Sequence, residues 1–123
     1  MPEPKVVKQA DLTWQTIPGA KGAQTELAEA VGVDLSATLG AGLVRVEKTR
    51  LKRKLAYDEV LYILEGSMHV ETEGSGAQLV ATGDFLYLPN GATPTYVWDD
   101  PCLMHYAIFP SNWEELMEPP END

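Results

Sequence analysis

Cysteine is nearly absent. The 123 residues contain one, Cys102, so no internal disulfide framework is possible, and a reducing, cytoplasmic setting is the expected location. Cations are scarce too: nine Lys and Arg stand against nineteen Asp and Glu, a formal net charge of −10. That balance argues against nucleic acid or an anionic membrane as partner, because phosphates would be repelled. No apolar run approaches the length of a membrane-spanning helix, and the N-terminus lacks the basic-then-apolar order of a signal peptide. A phosphate-cradling loop is also missing. Gly40-Ala41-Gly42 is not continued into a dinucleotide or P-loop fingerprint, and no Gly-Lys-Ser/Thr occurs. No Ser-His-Asp ordering supports nucleophilic catalysis, and Cys102 follows Asp99, Asp100 and Pro101, a setting that disfavours the thiolate.

What is present is one domain's worth of chain, 44% apolar and 23% charged, long enough to bury a core without staples. Residues 1–5 hold two prolines and read as a loose arm, and the acid-rich tail occupies 114–123. Val6 to Trp14 is expected to supply a short strand. Ile17-Pro18-Gly19-Ala20-Lys21-Gly22 is turn chemistry. Thr25 to Val33 carries a helix-like "TELAEAV", open equally to a strand or a loop.

From Gly40 the period becomes two, with Val44 and Val46 alternating with Arg45 and Glu47. Short strand candidates follow at 59–64, 67–73, 78–81, 85–88, 94–98 and 103–109, parted by glycine turns and by Asp99-Asp100-Pro101. Strands at such regular spacing predict an all-β barrel or sandwich. A short helical turn, with Ser111 and Glu114 as a capping pair, is predicted at the end.

Glu59, six residues and Gly66, then Gly83, five residues, Pro89, one residue and Gly91: this pair of motifs resembles the cupin superfamily. The fold it implies is a single-domain jelly-roll β-barrel over 1–123, with its core at about 40–110. Further positions are similar to the cupin domain of the ethanolamine-utilisation protein Q family: Tyr57-Asp58-Glu59, Leu64-Glu65-Gly66, His69-Val70, Gly83-Asp84, Tyr106 and Pro110-Ser111-Asn112-Trp113. The resemblance implies acetate kinase activity and a role at bacterial microcompartments. The cupin metal histidines fall at Lys52 to Leu55 and at Pro94 in this chain, so no tightly bound metal is expected. A divalent ion held by Glu59 with His69 or His105 is the alternative.

Tyr57, Glu59, Leu61 and Ile63 share one strand face by period two, and Glu47 can share the same lumen. Glu59, Tyr57 and Glu47 are therefore the candidate acid/base set, since burial raises a carboxyl towards neutrality. Arg45, Arg50 and Lys52 are candidates for an anionic ligand, the basic run 48–54 reading otherwise as a solvated strand edge. Tyr96, Trp98 and Tyr106 complete the candidate binding residues, with core packing as the alternative for the aromatics. The expected function is binding, with or without conversion, of a small polar or anionic metabolite. The competing readings are a non-catalytic accessory module and a metalloenzyme with substitute ligands. A homodimer, in contact through Trp14, Tyr62 and Tyr87, is the expected assembly.

Overall fold

The structure, a computed structural model, describes residues 3–17, 25–74 and 76–116. Ten strands lie among those residues, in two antiparallel sheets. Their ranges are β1 Gln15–Thr16, β2 Thr25–Val31, β3 Gly40–Val46, β4 Thr49–Lys52 and β5 Asp58–Glu65. They continue as β6 Ser67–Thr72, β7 Gly76–Ala81, β8 Phe85–Leu88, β9 Thr95–Trp98 and β10 Cys102–Phe109, before a short helix, α1, at Trp113–Leu116. One sheet runs β1-β2-β3-β10-β5-β8 and the other β4-β9-β6-β7. The chain crosses repeatedly between them, as in a two-sheet jelly roll.

Alternation along the strands builds the core. On β10, Cys102, Met104, Tyr106 and Ile108 are buried, while His105 and Phe109 are exposed. On β6, Met68 and Val70 are buried between outward neighbours. The inner faces of both sheets merge into one hydrophobic cluster that includes Ile63, Val70, Tyr96, Trp98 and Met104.

The motif glycines and Asp58 are structural. Gly66 takes φ +92 at the β5–β6 turn, and a Cβ there would stand 2.6 Å from the Pro101 carbonyl oxygen, so only glycine fits. Asp58 Oδ1 accepts a 2.9 Å hydrogen bond from the Asn90 amide and ties β5 to the Pro89-Asn90-Gly91 turn.

Two local expectations need correction, and one segment left open is decided. Residues 6–14 form no strand; a 3-10 turn occupies Gln9–Asp11 and pairing begins at Gln15. The "TELAEAV" segment is strand β2, not helix, because pairing with β3 and burial of Thr25, Leu27 and Ala28 outweigh the helix preference of Ala, Leu and Glu. Ser111 does not cap α1. Its hydroxyl donates to the Ser36 carbonyl at 2.7 Å, a tertiary tie that takes the place of a cap. Most of the turn at 17–22 and most of the acidic tail lie outside the described residues.

Candidate functional site

A cavity of about 70 Å³ lies between the inner faces of the two sheets. At roughly 10–15 Å³ per water-sized group, it has room for about five to seven such groups. Leu27, Val44, Leu61 and Met104 make its apolar wall, and Trp113 of α1 contributes a further side. The polar groups at its lining are Arg53, Tyr57, Glu59, Tyr96, Trp98 and Tyr106.

Local backbone explains why an arginine ends up inside. β4 stops at Lys52, but its hydrogen bonding continues. The Arg53 amide donates to the Pro94 carbonyl at 3.0 Å, Leu55 to Ala92 at 2.9 Å, and Gly91 to Leu55 at 2.9 Å. The segment is thus pinned against the loop before β9 with Arg53, Leu55 and Tyr57 all buried. Arg53 is only 5% exposed, uncommon for arginine without an opposing group.

Glu59 opens β5 on the same side as Leu61 and is half-buried. Its surroundings push its carboxyl up to about 8, because burial penalises the anion more than the nearby Arg53 cation stabilises it. Burial lowers the Arg53 guanidinium from its usual value, against the opposing influence of Tyr57, Tyr96 and Glu59. The Tyr57 and Tyr96 phenols are raised, first by burial and then by Glu59; Tyr106 is raised by burial and then by Glu29 and Glu59. All three remain neutral donors across the physiological range.

The aromatic frame is ordered. Tyr96 and Trp98 stack at 5.5 Å, and Trp113 meets Tyr57 and Tyr106 edge-on at 6.0 and 6.5 Å. Gly42 opposes Tyr106 across the β3–β10 pair. A Cβ at Gly42 would stand 2.9 Å from the tyrosine ring and collide with the Ala28 carbonyl oxygen. Trp98 Nε1 and Tyr106 Oη are buried with no hydrogen-bond partner among the described residues. Such groups are seldom left unpaired, and both belong to residues lining the cavity.

The structure therefore brings together Tyr57, Glu59, Tyr96, Trp98 and Tyr106. It does not bring in Glu47, Arg45, Arg50 or Lys52. Arg45 and Glu47 are exposed on an outer groove, the direction opposite to Val44 and Val46 on the same strand. Arg45 Nε donates to Glu26 at 2.9 Å, with its guanidinium 3.9 Å above the Trp14 ring. Arg50 lies 3.9 Å from Glu71 on the surface, and Lys52 borders a separate cleft with Glu71 and Thr95. His69 and His105 project from the outer faces of different sheets, away from Glu59. No group of three His, Cys, Asp or Glu among the described residues is placed to hold a metal ion. These residues do not fit the cupin metal.

Arg53 and Trp113 are the residues that sequence reading passed over. A signal for Arg53 was available: Leu51, Arg53, Leu55, Tyr57 and Glu59 continue one period-two series. Trp113 had no comparable signal beyond its place in the Pro110 to Trp113 match.

The family model described as ethanolamine utilisation protein EutQ matches residues 5–115. The chain is similar to the protein named Acetate kinase EutQ of Escherichia coli K12, 27% identical over 112 residues, covering 91% of this chain and 48% of that protein. It spans about half the length of the curated relatives it matches. Among solved structures, the putative ethanolamine utilization protein Q of Salmonella typhimurium LT2 superimposes with TM-score 0.78 at 23% identity, over 87% of this chain and 86% of that one. An RmlC-like cupin from Shewanella frigidimarina superimposes with TM-score 0.74 at 14% identity, over 92% and 96%. These two likenesses show the cupin fold.

Proposed function

We propose, from the premise that this chain belongs to the ethanolamine utilisation protein EutQ family, that its cavity binds one small organic anion, a short-chain carboxylate. The observation that carries this reading is the buried Arg53 beside Glu59. Burial pushes the Glu59 carboxyl up to about 8, and the neighbouring Arg53 places a guanidinium inside a chain whose formal charge is −10. A carboxylate seated against Arg53 gains charge-assisted hydrogen bonds, and the neutral Glu59 carboxyl can donate another. The apolar wall suits a short carbon chain. Cavity size favours a ligand of at most about seven non-hydrogen atoms.

The name Acetate kinase EutQ carried by the relatives makes acetate the first probe. A carboxyl that titrates near 8 also meets the requirement for a general acid or base at physiological pH. Conversion of the ligand is the finer part of the proposal, and phosphoryl transfer would further require ATP and a divalent ion. The single cysteine, Cys102, supports a cytoplasmic location as part of this proposal.

Calorimetric titration with acetate, propionate, butyrate and hexanoate tests binding. The short acids are expected to bind and hexanoate to fail; absence of binding by all four, or equal binding by hexanoate, refutes the reading. Phosphorus NMR of ATP, magnesium and acetate with the protein then tests turnover. Binding without acetyl phosphate formation makes the protein a carrier or sensor.

A further inference from the structure

Two buried polar atoms at the cavity, Trp98 Nε1 and Tyr106 Oη, lack a hydrogen-bond partner among the described residues. Their side chains are almost fully enclosed, at 4% and 2% exposure. Thr25 Oγ1 shares this condition, but Thr25 is not among the residues that line the cavity, whereas Trp98 and Tyr106 are. An indole N–H can only donate, and a phenol can donate or accept. Burying such groups unpaired is costly and uncommon. A partner that the protein does not supply has one place to come from, the cavity itself.

The two atoms belong to a different level of the barrel from the charged pair. The Arg53 amide bonds to the Pro94 carbonyl before β9, and Trp98 is the last residue of that strand. Glu59 pairs with Ile108 on β10, and Tyr106 stands opposite Leu61, the next inward position. The polar groups of the cavity thus form two sets along its length, a charged pair and two neutral groups without partners. A plain alkanoate would satisfy only the first. Its carbon chain would lie against the second and leave both atoms unpaired.

We propose that the ligand is a short carboxylate with a second oxygen on the carbon next to the carboxyl group, a 2-hydroxy or 2-oxo acid, and that Trp98 and Tyr106 select for that oxygen. The inference rests on the carboxylate reading above and narrows it. Trp98 Nε1 donates to the second oxygen, and Tyr106 Oη bonds to it as donor or, with a hydroxyl, as acceptor. That oxygen is neutral. Arg53 is the only Lys or Arg among the described lining residues, so the second carboxylate of a diacid would meet no cation. An amino acid would set an ammonium, which only donates, against an indole that only donates. Glycolate, lactate and pyruvate all fall within the size that the cavity allows. A site built to bond a substrate hydroxyl rejects the analogue lacking it far more strongly than an apolar pocket rejects an added hydroxyl.

Calorimetric titration with glycolate beside propionate tests the proposal, because the two acids are nearly equal in size and differ in the hydroxyl. Glycolate is expected to bind at least about tenfold tighter, the scale of one net hydrogen bond. Trp98→Phe and Tyr106→Phe keep a ring and remove one polar group each; either should reduce the glycolate-to-propionate ratio, and the double variant should abolish it. Tyr106→Phe should also lose no stability in urea unfolding of the ligand-free protein, since its hydroxyl has no bond to lose. Propionate binding as tightly as glycolate leaves the carboxylate reading intact and overturns this inference. So does a preference that survives both substitutions, or a Tyr106→Phe variant that unfolds more easily because its hydroxyl was bonded within the protein. Failure of both acids to bind refutes the carboxylate reading and this inference with it.

Discussion

Arg45 and Arg53 each meet a carboxylate and aromatic rings, yet they occupy different kinds of site. Arg45 is on the outer surface, bonded to Glu26 at 2.9 Å and stacked over Trp14 at 3.9 Å. Arg53 is inside, beside Glu59 with Tyr57 and Tyr96. Residue types are nearly the same. Outside, water solvates both charges, and the set is a surface clasp with its ions already paired. Inside, desolvation opposes both charges and pushes the Glu59 carboxyl up towards its neutral form. The chemistry of the cavity comes from its environment, and each outer residue is a built-in control for its inner counterpart.

The largest separation is expected between the tryptophans. Trp113 is 6% exposed and packs edge-on against Tyr57 and Tyr106; Trp113→Ala should cost about 3–5 kcal/mol in urea unfolding. Trp14→Ala should cost about 1 kcal/mol, the scale of an exposed cation–π contact. Equal losses would erase the distinction between inside and outside.

The arginines come next. Arg53→Gln should weaken acetate binding by about a hundredfold, roughly 2.7 kcal/mol, as expected for loss of a buried charge-assisted contact. Arg45→Gln should change it by less than about twofold. Titration calorimetry measures both, and a larger effect at Arg45 would move the site to the outer groove.

A pH series sharpens the comparison through Glu59. Its folded value, about 8, lies above the ordinary 4.5, so folding takes up a proton. The stability that this group contributes is fully present below about 4.5 and is lost as pH rises through about 8. Glu59→Gln should remove that decline, at most about 4 kcal/mol between pH 5 and pH 9, seen as a flatter melting temperature profile. Acetate affinity should fall up to about tenfold per pH unit above 8 in the wild type and stay level in Glu59→Gln. A wild-type affinity that is constant to pH 9 would overturn a Glu59 proton that is lost near 8 and coupled to binding.

The smallest effect belongs to the outer clasp. Glu26→Gln should cost about 0.2–1 kcal/mol, and the cost should vanish in molar salt. Thermal unfolding at low and high salt reads it directly.

Much of the fold was written locally. Gly66, Gly83, Pro89 and Gly91 fix turns, and alternation in Asp58–Glu65 and Cys102–Phe109 fixes which side chains face inward, because a strand's side-chain period is two whatever its partner. The same alternation sets Arg45 and Glu47 opposite Val44 and Val46, against their place among the candidate site residues, and it would have placed Arg53 inside had the series from Leu51 to Glu59 been followed through the end of β4. The β2 segment shows the opposite case. Its composition favours helix, and only pairing with β3 made it a strand.

The sequence alone thus determined a strand-rich, all-β chain, Glu59 on one strand face with Tyr57, Leu61 and Ile63, and the absence of histidine at the cupin metal positions, since each depends on residue identity, turn chemistry or spacing. The jelly-roll type and the inward direction of that face were implied by the family resemblance. Tertiary structure decided what Glu59 meets. Strands from two sheets, a pinned segment beyond β4 and a helix at residue 113 had to converge before one of several arginines became buried, one carboxyl was pushed towards its neutral form, and Glu47, Arg50, His69 and His105 were left outside. Those outcomes depend on long-range packing and desolvation, which no local pattern encodes.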